Sequence, residues 1–225
     1  MTIHASTLNR DEKPRRAVFV DRDGVINHMF FNAEFGTVDS PANPEQFALL
    51  PGVGQAIAEL NRAGLLVIVV SNQPGIAKGK FTLALLEAME NKMARMIEAD
   101  GGRLDAIYNC LHHPSASLSE YRILCKCRKP EPGLLVRAAS DWGIDLSSSY
   151  MIGDGVTDIA AGRAAGATTL FVSSRKCYNC DSLAEHGVWP DYLVRDLPEA
   201  VIVVRNLEAG DRGAVRQFEL KCAPL

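Results

Sequence analysis

Asp21 and Asp23 stand two residues apart, directly after the apolar run Ala17 to Val20 and directly before Gly24. An apolar, β-branched run that stops at acids and a glycine reads as a buried strand ending in a tight loop. In an open α/β sheet, ligands bind at the carboxyl ends of strands. Two carboxylates there can hold a hard cation and reach an electrophile beside it. An EF-hand loop opens in a similar way, but its later acidic ligands and closing Glu are missing here. Ser149 to Ile152 repeats the pattern, with Gly153-Asp154-Gly155-Val156-Thr157-Asp158 after it. Asp154 could bind a cation, whereas Asp158 also suits a helix N-cap before Ile159 to Ala165. Between these stretches Leu65 to Val70 ends in Ser71-Asn72-Gln73-Pro74-Gly75, a hydroxyl and two amides that can donate to phosphate oxygens, or simply a polar turn.

A second constellation is softer. Cys110-Leu111-His112 is followed after twelve residues by Cys125-Lys126-Cys127. Two close soft-ligand pairs across a loop match the layout of a tetrahedral Zn²⁺ site. Three thiolates and an imidazole fill a structural site and leave no open position. His113 could replace His112, although His112 gives the tighter pair. The intervening Pro114-Ser115-Ala116-Ser117 is too polar to pack itself, so metal would organise it. Arg128 and Lys129 follow at once, between that loop and a helix that Pro132 is placed to start.

The elements expected to position these groups alternate. A helix opens at Pro51-Gly52-Val53 and ends near Gly64. The longest helix, Phe81 to Asp100, carries an inward stripe of Leu85, Met89, Met93 and Met96/Ile97. Short strands are expected at Ala106 to Asn109, Thr168 to Val172 and Tyr192 to Val194, with a closing helix at Pro198 to Arg205. Alternation of this kind favours a parallel sheet covered by helices on both faces, with its strand ends gathered at one edge. His28 to Phe47 is a long connection, the kind used as a lid or substrate loop, in which Phe30, Phe31 and Phe35 could line a site or pin the loop down. The expected layout is a flexible tail over 1–13, one domain over 14–205 with a zinc loop over 110–127, and a polar tail over 206–225.

Three acids, a hydroxyl and a lysine at one sheet edge describe Mg²⁺-assisted phosphoryl transfer through a carboxylate nucleophile. Composition is compatible with a soluble enzyme: 225 residues, 47% hydrophobic and 23% charged, with net charge −3. That charge offers no nucleic acid or anionic membrane partner. No apolar run approaches the roughly 20 residues that span a bilayer, and the polar N-terminus has no signal core. Six cysteines without a signal peptide suggest ligands or free thiols, hence a cytoplasmic protein.

In this order, Asp21-Arg22-Asp23-Gly24-Val25, Ser71-Asn72-Gln73, Lys129 and Gly153-Asp154-Gly155-Val156-Thr157-Asp158 resemble the four motifs of the haloacid-dehalogenase-like (HAD-like) phosphatases. Cys110-x-His112-His113-Pro114, Cys125-x-Cys127-Arg128-Lys129-Pro130-x-Pro132-Gly133 and Ser71 to Thr82 are similar to the branch of heptose-bisphosphate and histidinol-phosphate phosphatases. The resemblance runs from about Arg16 to Arg205. It implies a Rossmann-like three-layer fold with a minimal cap, where the zinc-held loop takes the cap's place.

It also implies a function: Mg²⁺-dependent removal of the 7-phosphate of D-glycero-D-manno-heptose 1,7-bisphosphate, a step toward lipopolysaccharide precursors. Asp21 would be nucleophile and Mg²⁺ ligand. Asp23 would be general acid and then base, lending its backbone carbonyl to the metal. Ser71 and Lys129 would hold the transferring phosphate, and Asp154 would bind Mg²⁺. Arg22, Asn27, Asn72, Gln73 and Arg128 would contact substrate, and Cys110, His112, Cys125 and Cys127 would hold Zn²⁺. A small phosphorylated sugar is the expected partner of a monomeric enzyme. Histidinol phosphate or another small phosphate monoester is the alternative substrate, and a silent phospholigand-binding relative is a third reading. Lack of a second domain favours the heptose reading over a bifunctional histidine-pathway enzyme. Every catalytic position holds a competent residue, which argues against the silent relative. Gly155 departs from the lysine that heptose-phosphatase relatives often carry. Cys177-Tyr178-Asn179-Cys180 lies outside the family pattern and reads as free thiols or, with His186 or Cys222, as a second metal site.

Overall fold

The computed structural model describes residues 14–33, 36–173 and 179–211. The tail over 1–13, Phe35 and the thiols of Cys177, Cys180 and Cys222 lie outside the described residues. Six parallel strands form the central sheet: β1 (Ala17–Val20), β4 (Leu66–Asn72), β5 (Ala106–Cys110), β6 (Tyr150–Gly153), β7 (Thr168–Val172) and β8 (Tyr192–Val194). Their order is β5-β4-β1-β6-β7-β8. All four residues of β1 are fully buried, as an apolar run covered on both faces requires. Two short strands, β2 (Phe30–Asn32) and β3 (Thr37–Asp39), form a separate antiparallel hairpin inside the long connection after β1.

Helices α1 (Val53–Arg62), α2 (Leu83–Ala99) and α6 (Leu197–Glu208) pack on one face. Helices α3 (Gly133–Trp142) and α4 (Val156–Ala165) cover the other, with α5 (Asn179–Glu185) beside α4. The result is the expected three-layer Rossmann-like architecture. The inward stripe of α2 is Leu86, Met89, Met93 and Ile97; Leu85 and Met96 flank it, half-buried. Among the described residues, no helix is long and apolar enough to cross a membrane.

The strand order fixes where a ligand goes. From β1 the chain moves outward to β4 and β5, then returns to the opposite side of β1 to lay down β6, β7 and β8. The direction of winding reverses between β1 and β6, and open α/β sheets bind ligands in the crevice beyond such a reversal. Asp21 follows β1 and Asp154 follows β6, so the two acids flank that crevice.

Candidate active site

Asp21 is placed by the sheet itself. Its amide donates to the Ile152 carbonyl at 2.9 Å, extending the β1–β6 ladder one residue beyond the strand. The next residues form a tight loop closed by Gly24 N–H to Asn27 O at 2.9 Å and Ile26 N–H to Arg22 O at 2.8 Å. Gly24 has φ +90°, and a Cβ built there would lie 2.2 Å from Asp154 Oδ2. Only glycine permits both that backbone and the close approach of the second acid.

Beneath the loop lies a network of buried side chains centred on Asp23. Arg22, 0% exposed, donates from Nε and Nη2 to Asp23 Oδ1 at 3.2 and 3.1 Å, and from Nη2 to Oδ2 at 3.0 Å. Asn27 Nδ2 donates to Asp23 Oδ1 at 3.0 Å and Gln73 Nε2 to Oδ2 at 2.7 Å. Gln73 also donates to Ser71 Oγ at 2.9 Å and accepts from Arg22 at 3.0 Å. Both Asp23 oxygens are thereby fixed, and Ser71, having accepted one hydrogen bond, keeps its own hydroxyl proton to donate. Arg22, Asn27 and Gln73 are almost wholly buried, and these contacts turn all three toward Asp23. Asn72 is engaged in the same way with a neighbouring element. Its Nδ2 donates to Lys129 O at 3.0 Å and its Oδ1 accepts from Lys129 N at 3.1 Å, so both ends of the amide hold the Lys129 backbone.

The Lys129 ammonium is 2% exposed and reaches Asp158 Oδ1 at 2.5 Å, Asp21 Oδ1 at 2.8 Å and the Val70 carbonyl at 2.8 Å. Burial opposes its charge, but Asp158 and then Asp21 outweigh burial and hold it above the ordinary lysine range. Burial pushes the Asp21 carboxyl up to about 6; Lys129 pulls the other way, while Asp158 and Asp23 add like charge. Asp158 is the site residue that its capping role obscured. Gly155, not Asp158, is the N-cap of α4, and Asp158 sits three residues inside, where its Oδ2 accepts the Gly155 amide at 2.9 Å. The Asp154-x-x-x-Asp158 spacing was the available signal, because it sets both acids about the first helical turn.

Asp21, Asp154 and Asp158 bring carboxylate oxygens within 4.8 Å of one another, with Asp154 3% exposed. Like charges so close and so dry call for a cation, and an all-oxygen donor set suits a hard one such as Mg²⁺. The Asp23 side chain is turned into its own network and is outside this cluster.

The soft cluster assembles Cys110, His112, Cys125 and Cys127. Cys127 Sγ lies 3.2 Å from Cys125 Sγ and 3.3 Å from Cys110 Sγ, and Cys110 to Cys125 is 3.6 Å. His112 Nδ1 is 3.3 Å from Cys127 Sγ and 3.9 Å from Cys110 Sγ. A tetrahedron with Zn–S bonds of about 2.3 Å has S···S edges of about 3.8 Å, so the four ligands stand close to the corners of one. Burial drives the Cys110 thiol well above the ordinary range, and a cation would reverse that. His113 is outside the cluster; its Nδ1 accepts the Ser115 amide at 3.0 Å.

This loop is wired to the acid side. Cys110 O accepts the Gln73 amide at 2.8 Å, and Lys126 O accepts the Gly133 amide at 3.0 Å. A Cβ at Gly133 would fall 2.0 Å from Lys126 O, so only glycine lets α3 begin there. Arg128 Nη1 donates to His112 O at 3.2 Å, which sets its guanidinium on the rim of the loop that carries the Cys/His cluster, beside Lys129.

Comparison with known proteins agrees with this arrangement. A HAD-hydrolase-like family model matches residues 126–200. The D-glycero-beta-D-manno-heptose-1,7-bisphosphate 7-phosphatase of Escherichia coli (strain K12) is 39% identical over 187 residues, covering 82% of this chain and 93% of that protein. The protein of the same name from Vibrio cholerae is 39% identical over 191 residues, covering 84% and 98%. The crystal structure of D,D-heptose 1,7-bisphosphate phosphatase from B. bronchiseptica, complexed with magnesium and phosphate, superposes with a TM-score of 0.71 at 31% identity, covering 85% of this chain and 99% of that one. At such identity and coverage, this chain belongs to the haloacid-dehalogenase-like hydrolases, in the family of the heptose-bisphosphate phosphatases.

Proposed function

We propose that this protein removes the 7-phosphate of D-glycero-β-D-manno-heptose 1,7-bisphosphate through an aspartyl phosphate on Asp21. The observation that carries the reading is the convergence of Asp21, Lys129 and the Asp154/Asp158 pair at the point where the sheet winding reverses. A similar fold complexed with magnesium and phosphate supports it.

An Asp21 oxygen attacks the 7-phosphorus as the bond to the sugar oxygen breaks. Lys129, bound to Oδ1, keeps the attacking carboxylate in place and offsets charge on the transferring group. Ser71 donates its hydroxyl to a phosphoryl oxygen. Asp23, held by Arg22, Asn27 and Gln73, gives its proton to the departing sugar oxygen. Asp23 then takes a proton from water, which attacks the same phosphorus and releases phosphate and free Asp21. Asp21 and Asp154, with the Asp23 carbonyl, are the residues that would hold Mg²⁺. The ion would neutralise the charge that phosphate brings to three buried carboxylates. Cys110, His112, Cys125 and Cys127 would hold Zn²⁺ as a structural ion, keeping Arg128 and Lys129 in register. Arg128 offers a planar fork for the distal anionic group of the substrate. The enzyme is read as a cytoplasmic monomer.

Turnover of heptose 1,7-bisphosphate and of histidinol phosphate, measured side by side, tests the reading. It expects release of the 7-phosphate with the anomeric phosphate retained, at a kcat/KM well above that for histidinol phosphate. The reverse preference would replace the substrate and leave the chemistry standing.

A further inference from the structure

We infer that Glu90 is a positioning residue for the proposed reaction: its carboxylate braces the buried Arg22, which in turn holds the general acid Asp23. This inference rests on the function proposed above and extends it to a helix residue remote from the reacting atoms.

Glu90 lies on α2, and the sheet register decides what it faces. Ser71 of β4 stands opposite Asn109 of β5 in the parallel ladder. Paired residues of neighbouring strands project to one side, and two residues earlier Val69 and Ile107 both join the core beneath α2. Ser71 and Asn109 therefore turn toward α2 as well, where Asn109 Nδ2 donates to Glu90 Oε1 at 2.5 Å. That hydrogen bond joins helix to sheet one strand away from Ser71. Ser71 Oγ accepts from Gln73 Nε2 at 2.9 Å, and Gln73 Oε1 accepts from Arg22 Nη2 at 3.0 Å. The Gln73 amide donates to the carbonyl of Cys110, the chain neighbour of Asn109. Glu90, Asn109, Ser71, Gln73 and Arg22 thus form one polar seam under the reaction centre.

Arg22 needs a second anion at the moment the chemistry begins. Its side chain is 0% exposed, and the carboxylate its nitrogens reach is that of Asp23. Nη1 is buried and meets no hydrogen-bond acceptor among the described residues. To act as a general acid, Asp23 must first carry a proton, and it is then no longer an anion. A buried guanidinium without a counter-charge is costly, so Arg22 would either shift or hold Asp23 ionised. Glu90 supplies the missing charge. Burial pushes its carboxyl up, helped by like charge on Glu87, while the Asn109 hydrogen bond and the Arg22 charge pull it back toward the anion. Among the described residues Glu90 forms no ion pair of its own, and Lys92, two positions on, donates to Pro44 O at 2.7 Å instead. Asn109 adds to the brace. With Nδ2 held by Glu90, its Oδ1 is a buried acceptor without a donor among the described residues, the complement of Arg22 Nη1.

The test measures kcat, KM and the thermal midpoint on heptose 1,7-bisphosphate or histidinol phosphate, whichever wild type turns over faster. Glu90→Gln keeps an acceptor for Asn109 but removes the charge, and should lower kcat by about tenfold with KM and midpoint nearly unchanged. Glu90→Asp, which keeps the charge, should recover most of that loss. Glu87→Gln removes an exposed carboxylate one turn earlier on α2 and should leave kcat as in wild type. Arg22→Met should lower kcat further, and adding Glu90→Gln to it should cost nothing more, because Glu90 acts through Arg22. If Arg22→Met does not fold, the kcat–KM split and the recovery by Glu90→Asp decide alone. A Glu90→Gln variant with wild-type kcat, a loss that appears in KM or in the midpoint instead, or a loss that Glu90→Asp does not recover overturns the inference. A wild type that releases phosphate from neither substrate overturns the functional reading itself.

Discussion

The acid cluster and the thiol cluster lie at the same edge of the sheet but are held there by different means. Asp21 continues the β1–β6 ladder, Asp154 follows β6, and Asp158 is fixed by the first turn of α4. Buried strands carry the first two acids and the first turn of α4 carries the third, so their geometry is set by the core. In the thiol cluster only Cys110 lies on a strand; His112, Cys125 and Cys127 come from the loop that follows it. That loop has one buried apolar side chain, Ala116, and leaves Leu124 almost fully exposed. Its order depends on the ligands themselves and on a few hydrogen bonds to Ala77 and Gly133. One cluster is preorganised by the fold, and the other organises the part of the fold around it. Under the proposed mechanism, chemistry depends on the first and recognition on the second.

The sharpest way to break this contrast is at Asp21. Asp21→Asn should remove turnover entirely while leaving the thermal midpoint close to wild type, because the amide keeps the shape but cannot act as an anionic nucleophile. Near-native activity of purified Asp21→Asn, read by phosphate release, would refute the aspartyl-phosphate mechanism. The next effect is at Gln73. Gln73→Met preserves bulk but removes the hydrogen bonds from Gln73 to Asp23 Oδ2 and to Ser71, and misplacement of the acid should lower kcat by about 100-fold with little change in KM. A residue that bound substrate directly would raise KM instead, so the split between the two constants separates the roles.

The thiol side should respond in stability before chemistry. Cys125→Ser should lower the thermal midpoint by on the order of 5–10 °C, an effect of about 2–3 kcal/mol for a domain of this size. Activity should fall too, as Arg128 and Lys129 lose their support, and metal analysis of wild type should find about one equivalent of zinc for a single closed site. A zinc-free wild type with unchanged midpoint and full activity would remove the organising role assigned to the metal.

Much of the acid side was legible in the sequence because uniform apolar runs ending in acids leave few alternatives to buried parallel strands. The four members of the Cys/His cluster were legible by spacing. Burial of a polar side chain was not. Arg22, Asn27 and Gln73 read as donors for a ligand, since arginine and amides are ordinarily exposed, yet they face inward onto Asp23. Asn72 likewise reads as a phosphate donor but pairs with a main chain 57 residues away, a contact only the folded sheet creates. The β2–β3 hairpin escaped notice because its strands are three residues each and no Asn-Gly turn joins them. Asp158 was hidden by a residue type that serves equally well as a cap.

The smallest expected effect concerns pH. Burial raises Asp21 from 3.8 in the unfolded chain to about 6 in the metal-free fold, so the native state binds the extra proton. Its contribution to stability is therefore fully present below about 3.8 and is lost as pH rises through about 6. A cation held by the anionic cluster offsets that loss. Mg²⁺ should accordingly raise the thermal midpoint of metal-depleted protein by a few degrees more at pH 7.5 than at pH 5, by linkage of binding to folding. Equal shifts at both pH values would place the ion away from Asp21.

The central claim is that phosphorus passes through Asp21, and it can be observed directly. Acid quench during turnover of a 7-³²P-labelled heptose bisphosphate, followed by peptide mapping, should recover label on the peptide containing Asp21 as an acid-stable, base-labile acyl phosphate. Steady turnover with no protein-bound label, or with label on a peptide lacking Asp21, would contradict the account.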